Sequence, residues 1–469
     1  MMKITIKPGQ TLWDALYEQN QAVDRPCNGR GTCGQCQVRI EGVGMVRSCR
    51  FRKPGTYEVE IGAAPAFEVI FAEKGEEAEK AQTSEADAGA AAAIPWVAVD
   101  IGTTTVAMEL HDRGRCVRDS FLNPQRIFGA DVISRIEQAS GNAMIAAQMR
   151  SVLKTQLLQR LARMLEEVRG TAGEDSVDLP VCPVAIAANT TMIHILRGFS
   201  CEGLGQAPFA PVDLGAGRER WESAPFTFDI HYLPGVSAFV GADVVSGSLA
   251  LKMSREKDPV LLLDLGTNGE MMIGNRDRLI CASAAAGPAF EGSELALQLH
   301  ASGILRCLHH MRKEQIIDRY GTLADTYFEE GYPVTEGNEK TVFVTQEAIR
   351  QIQMAKAAIR TGIEILMERF GITADRLAKV YLAGGMGYYL DPEDAIGIGL
   401  LPEKFRGKIR AVGNTSLAGA AEYAQAVAGG ADSAAVPDAI CREISEGAEE
   451  ICLAEQPDFE EKYIAFIDF

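Results

Sequence analysis

The sequence predicts an α/β protein in three parts: a small strand-and-helix head, a charged tether, and a large body in which one strand-turn-strand unit occurs twice. Three observations carry that prediction. Four of the eleven cysteines fall between residues 27 and 49, residues 63–94 are dominated by Ala, Glu and Lys, and an apolar strand running into Asp-x-Gly-Thr appears at Asp100 and again at Asp264. With 47% hydrophobic and 23% charged residues among 469, the chain is long enough for roughly three domains. A net charge of -18 argues against a phosphate-backbone partner, so no nucleic acid is expected. The first twenty residues, MMKITIKPGQTLWDALYEQN, lack the apolar core of a signal peptide, and no stretch approaches the ~18 apolar residues of a membrane span. A cytoplasmic protein with no membrane association is therefore expected, and in that reducing setting clustered cysteines point to metal or redox chemistry.

The head, residues 1–62, reads as strand (MKITI), turn (Pro8-Gly9), helix (TLWDALYEQN), then the strands QVRIEG and TYEVEIG. Between them Cys27, Cys33, Cys36 and Cys49 follow the spacing C-x5-C-x2-C-x12-C, with Gly29, Gly31 and Gly34 letting the loop curl around one inorganic centre. Zinc accepts four thiolates as well, although structural zinc sites usually present two C-x2-4-C knuckles, and here Cys27 and Cys49 each stand alone. The order of elements resembles a β-grasp ferredoxin-like domain, and that resemblance implies a [2Fe-2S] cluster on the four cysteines. Residues 1–61 hold nine basic against six acidic side chains, so the head is basic and the rest acidic. Arg25, Arg30, Arg47, Arg50, Arg52 and Lys53 would partly neutralise a cluster or guide an acidic partner, the bland reading being solvated surface. The other seven cysteines are scattered and read as small buried hydrophobes. Residues 63–94 are poor in large apolar groups from Glu73 onward and form the acidic linker, which spans ~25 to 30 Å if flexible.

In the body, WVAVDIGTTTVAMEL (96–110) and PVLLLDLGTNGEMMIG (259–274) share one design. A turn rich in Gly and Thr offers N–H and hydroxyl donors to phosphate oxygens, and a carboxylate at the strand end can hold hydrated magnesium. Asp100 and Asp264 are the candidate magnesium ligands, with Gly102, Thr103, Thr104, Gly266, Thr267 and Asn268 as phosphate cradles. Plain turn capping is the alternative. A third element, AKVYLAGGMGYYL (378–390), runs an apolar strand into Gly384, Gly385 and Gly387, where backbone can approach a ligand closely. Together and in this order the three elements resemble the phosphate-1, phosphate-2 and adenosine motifs of the ASKHA superfamily, and imply its duplicated ribonuclease-H-like (actin/Hsp70/sugar-kinase) ATPase fold. Subdomain I is placed at 95–257 and subdomain II at 258–469.

That resemblance implies further roles. Asp243 precedes the second phosphate turn as the catalytic aspartate of sugar kinases does, and would orient the attacking water, with helix N-capping as the competing explanation. Lys356, in a helix starting near Thr345 whose Ile349, Ile352, Ile359, Ile363 and Leu366 mark the buried face, resembles the adenine-side lysine of Hsp70-like helices, against a plain surface lysine. His194 reads as a core histidine, a cobalt or partner contact being the alternative.

The segments NPQRIFGADVISRI (123–136), AANTTMIHILRG (187–198), VGADVVSGSLAL (240–251), AAGPAFEG (285–292) and TQEAIRQIQMAKAAIRTGIEIL (345–366) resemble the ASKHA-type reductive activators of corrinoid proteins, which join an N-terminal [2Fe-2S] domain to an ATPase. Members carry a longer region between ferredoxin and ATPase than the tether seen here. Membership implies ATP, Mg2+ and a [2Fe-2S] cluster as cofactors, a corrinoid protein or corrinoid-dependent methyltransferase as partner, a low-potential electron donor, and a homodimer as one arrangement. It also implies the activity: one electron passes from the cluster to inactive Co(II), restoring Co(I), and ATP offsets the mismatch in potential, about 1.4 kcal/mol for each ~59 mV. A small-molecule kinase and a nucleotide-binding redox sensor of the same superfamily are the alternatives.

Overall fold

The computed structural model describes residues 1–19, 21, 23, 36–61, 94–169, 181–266, 268–286, 289–290, 294–336 and 340–469. Cys27, Cys33, nearly all of the tether and Thr267 lie outside the described residues. In the head, β1 (Met2–Ile6), β2 (Gln37–Ile40), β3 (Gly44–Arg47) and β4 (Gly55–Glu60) form an antiparallel sheet in the order β1-β4-β2-β3. Period-two alternation buries Ile4, Ile6, Val38, Ile40 and Val59 against the Leu12–Glu18 helix, which contributes Leu12, Trp13 and Leu16. Thr11 caps that helix reciprocally with Asp14, satisfying two otherwise orphaned N–H groups.

The body repeats one topology. β5 (Trp96–Ile101), β6 (Thr105–Asp112) and β7 (Arg115–Leu122) make an antiparallel meander, extended on the other side of β5 by parallel β8 (Cys182–Ala188), then β10 (Phe226–Tyr232) and β9 (Gly217–Ser223). β11 (Val260–Leu265), β12 (Gly269–Gly274) and β13 (Leu279–Ala284) make the second meander, extended beside β11 by parallel β16 (Lys379–Ala383) and β17 (Ile409–Gly413), with β18 (Glu449–Glu450) beyond β13. A separate hairpin pairs β14 (Tyr332–Glu336) with β15 (Lys340–Val344). Both six-stranded sheets therefore carry the expected strand-turn-strand unit at the same place, followed by a parallel neighbour.

The two sheets are joined through helices. Ala242–Ala250 and Thr415–Ala428 pack on each other, the second lying against β5 and β8 and the first against β12, in one core that includes Ala98, Ala185, Val245, Leu262 and Leu417. Gln346–Phe370, capped by Thr345, covers the second sheet. Its Ile349, Ile352, Ile359, Ile363 and Leu366 are all buried, as their spacing predicts, each worth roughly 1.5–3 kcal/mol relative to exposure. Ala143–Arg169 covers the first sheet through Met149, Leu153, Leu157 and Leu161. Among the described residues no helix is long and apolar enough to cross a membrane.

Candidate functional site

The first turn is held from three sides. Gly102 N–H donates to Thr105 O (2.9 Å), closing the turn, and a Cβ at Gly102 would sit 2.9 Å from that same oxygen, so only glycine fits. Asn123 Nδ2 donates to Gly102 O (2.8 Å), and Asn123 N–H to Thr104 O (2.8 Å). Arg135, fully buried, donates from Nη2 to Thr103 O (2.6 Å) and from Nε to Gly129 O (2.9 Å). Burial pulls its pKa down, and the carbonyl acceptors offset that desolvation. Asn189 Nδ2 reaches Thr103 Oγ1 (3.2 Å), which leaves Thr104 exposed at the tip.

Asp100, at the end of β5, is tied to the other half of the chain. Asn414 Nδ2 donates to its Oδ2 (2.8 Å) and Ser416 Oγ to its Oδ1 (2.7 Å), both from the start of the Thr415–Ala428 helix. Burial raises the Asp100 pKa, and these two bonds oppose the rise.

The second turn is built differently. Gly266 N–H closes it on Asn268 O (2.9 Å). Asp264 pairs in register with Glu270 across the hairpin, whereas Asp100 faces Ala107. Gly384, at φ +78°, brings the third element onto this carboxylate: a Cβ there would lie 2.4 Å from Asp264 Oδ1. Gly384, Gly385 and Gly387 fall in the Gly384–Tyr389 helix directly after β16, with Gly385 exposed and Gly387 packed on Leu382. Asp243 joins from the start of the Ala242–Ala250 helix, and Gly241 before it is pressed so closely on Asn189 that a Cβ would lie 2.6 Å from Asn189 Cα.

Four half-buried carboxylates, Asp100, Asp243, Asp264 and Glu270, thus converge from both sheets. Burial, then repulsion from Asp100, raises Asp243 to about 6. Burial, then the charges of Asp243 and Asp264, raises Glu270 well above the ordinary carboxylate range. Such crowding of hard oxygen donors suits a hydrated divalent cation such as Mg2+, and the adjoining turns offer N–H groups to phosphate oxygens.

Two of the four head cysteines can be placed. Cys36 and Cys49 are buried, with their Sγ atoms 3.2 Å apart, a convergence that fits two ligands of one inorganic centre. The Cys49 loop is braced by the helix: Trp13 N–H donates to Ser48 O (3.1 Å) and Leu12 N–H to Phe51 O (2.7 Å). From the same helix Tyr17 stacks on Trp13 and meets Phe128 edge-on at 6.1 Å, and it packs with Ile127 as well. The head therefore rests on the 3-10 turn Pro124–Ile127, whose cap Asn123 braces the first turn.

Three readings from the sequence are corrected, the third in part. Lys356 is not a surface lysine: it is 1% exposed, its Nζ donates to Asp468 O, and it lies 5.1 Å from the Phe469 ring. Burial lowers its pKa to about 7. Asp243 is not an N-cap, because Gly241 holds that position and Asp243 accepts from Val244 N–H (2.9 Å). Cys116 is exposed and Cys307 and Cys452 half-buried, so the buried-hydrophobe reading holds for Cys182, Cys201, Cys281 and Cys441. His194 is the core histidine expected, with Nδ1 bonded to Thr190 O (2.8 Å) and Nε2 accepting from Val212 N–H (3.0 Å). Sequence reading missed Glu270, Asn414, Ser416 and Arg135. The available signal was an Asn-Thr-Ser run after the apolar strand before 414, the composition of a helix cap.

Two family models match the body: the RACo middle region over residues 96–256, and the C-terminal domain of RACo, the ASKHA domain, over 258–303 and 295–469. The chain is 30% identical over 431 residues to the corrinoid activation enzyme RamQ of Eubacterium limosum, covering 79% of this chain and 70% of that protein. This chain belongs to the RACo family of corrinoid activators. It is also 29% identical over 233 residues to the [Co(II) methylated amine-specific corrinoid protein] reductase of Methanosarcina barkeri, across 40% of this chain and 43% of that one. A solved structure of a reductive activator for corrinoid, iron-sulfur protein covers 100% of this chain and 98% of its own, with a TM-score of 0.68 at 22% identity, and so shares the fold.

Proposed function

We propose that this RACo-family chain couples ATP hydrolysis in the carboxylate cleft to one-electron reduction of a corrinoid protein, returning Co(II) to Co(I). The observation that carries the reading is the similarity to a corrinoid activation enzyme across 79% of the chain. Cys27, Cys33, Cys36 and Cys49 would hold a [2Fe-2S] cluster, which supplies the electron when bound, and Asp100 and Asp264 would hold Mg2+. The two turns position phosphate, and Gly384, Gly385 and Gly387 back the adenosine, while Lys356, with its Nζ on Asp468 O, braces the C-terminus. Asp243, whose carboxyl burial and then Asp100 hold above the usual carboxylate range, is suited to accept a proton from the attacking water. ATP contributes by differential affinity: the nucleotide-bound chain favours the complex in which cobalt accepts an electron most readily. The division into head (1–62), linker (63–94) and subdomains 95–257 and 258–469, an external low-potential donor and a cytoplasmic setting belong to the same reading.

The test is anaerobic spectroscopy of a corrinoid protein mixed with the pre-reduced chain. Co(II) should convert to Co(I) with ATP and Mg2+, and not with a non-hydrolysable analogue. Cys36→Ser should abolish the conversion while keeping at least half of the ATPase. Conversion at the same rate without nucleotide would overturn the proposal.

A further inference from the structure

One cluster of donor side chains is used neither by the cleft nor by the head. β6 and β7 meet in a tight turn over Arg113 and Gly114, at the edge of the first sheet. Glu109 and His111 are two apart on β6 and share a face, and Cys116 on β7 stands opposite His111 in register. His111 Nε2 lies 3.3 Å from Glu109 Oε1 and 3.5 Å from Cys116 Sγ, and the three donor atoms all fall within 4.8 Å of one another. Tetrahedral zinc, with N and O ligands at ~2.0–2.1 Å and S at ~2.3 Å, separates N from O by about 3.3 Å and N from S by about 3.5 Å. The observed separations match both edges.

Neighbouring groups hold two of the donors in place. Trp96 on β5, next to His111 in the same row across the sheet, stacks on its ring with centroids 4.1 Å apart and planes 8° off parallel. Arg118 Nε sits 3.5 Å from Glu109 Oε2, which turns Oε1 toward the imidazole. Orientation of ligands by outer groups of this kind is what metal sites require. A mixed N, S and O donor set favours zinc over magnesium. Glu109 and His111 lie four and six residues beyond Thr105, roughly 13–20 Å along the strand from the phosphate turn, so this is not the nucleotide site.

We propose that Glu109, His111 and Cys116 form a three-ligand zinc site, its fourth position taken by water, that pins the edge hairpin beside Trp96. Full-length protein freed of loosely held metal and titrated anaerobically with Zn2+ against a chromophoric chelator should bind one more equivalent than Cys116→Ser or His111→Ala. Glu109→Gln, which preserves shape, should weaken that equivalent about tenfold. Zinc should raise the Tm of the parent chain and leave the Tm of Cys116→Ser unmoved, while ATPase stays unchanged in both. If the three side chains serve only as a hydrogen-bonded cluster, the variants lose the same Tm with and without zinc. That result, or equal zinc stoichiometry in parent and variants, overturns the site.

Discussion

The turn after β5 and the turn after β11 descend from the same sequence pattern, yet they are held by different forces. Asp100 is held by donors: Asn414 and Ser416 bond its two oxygens, Asn123 and Arg135 fix the backbone beside it, and Asn189 holds the Thr103 hydroxyl. Asp264 stands opposite Glu270 in the hairpin, with Gly384 close against its Oδ1. A buried carboxylate that already has its hydrogen bonds is a rigid fixture, whereas crowded carboxylates store repulsion that a cation can release. The duplicated motif has therefore divided its work, the first turn locking the two halves together and the second concentrating charge.

If that division is right, Asp264→Asn should cause the largest loss, at least tenfold in ATP hydrolysis, or about 1.4 kcal/mol at the transition state. Its Mg2+ requirement should shift to higher concentration. Asp100→Asn should also lose about tenfold, with a smaller shift in its Mg2+ requirement than Asp264→Asn, because Asn414 and Ser416 already share the two Asp100 oxygens. Identical Mg2+ titrations for the two variants would erase the distinction. Ser416→Ala, which removes one donor to Asp100, should reproduce part of the Asp100→Asn loss, about threefold, and parent-like ATPase there would show that the tie is dispensable.

A smaller effect is expected where the first turn meets the head. Tyr17 meets Phe128 edge-on and packs in the cluster that includes Ile127, in the segment that begins at Asn123, so among the described residues the head rests on the brace of the first turn. Tyr17→Ala should leave basal ATPase within about twofold and slow cobalt reduction several-fold, measured by single-turnover absorbance. Equal slowing of both activities would mean that the contact merely stabilises the fold.

What could be read from the sequence follows from separation along the chain. The two hairpins, the glycine turn at Gly384 and the stripe of Gln346–Phe370 are local patterns of period 2 or 3.6, and the structure has them where the residues predict. Asn414 to Asp100 is a contact across 314 positions, with no local periodicity to announce it. Arg135 carries no local sequence signal, and only the fold reveals that its guanidinium is buried on Thr103 O. Glu270 was hidden because a charged residue beside a turn ordinarily faces water, whereas here the second sheet and the Ala242–Ala250 helix close over it.

The last expected effect is on stability, and its sign follows from the same crowding. Asp243 has a folded pKa of about 6 against an ordinary 3.8, so between those values the native chain binds more protons than the unfolded one. Stability is therefore lost as pH rises from the ordinary carboxylate range through the raised folded value. Asp243→Asn removes the titration, so in metal-free buffer the variant's Tm should exceed the parent's at pH 7 and match it near pH 4. Glu270→Gln should act in the same direction, since burial and then the charges of Asp243 and Asp264 raise its pKa. Substitutions of this kind at the first turn should not stabilise: Asp100→Asn would set an amide against the Asn414 amide and leave the helix start worse paired, lowering Tm. A metal-free Asp100→Asn variant more stable than its parent would show that charge repulsion dominates at both turns, and the contrast between them would collapse into a single crowded cleft.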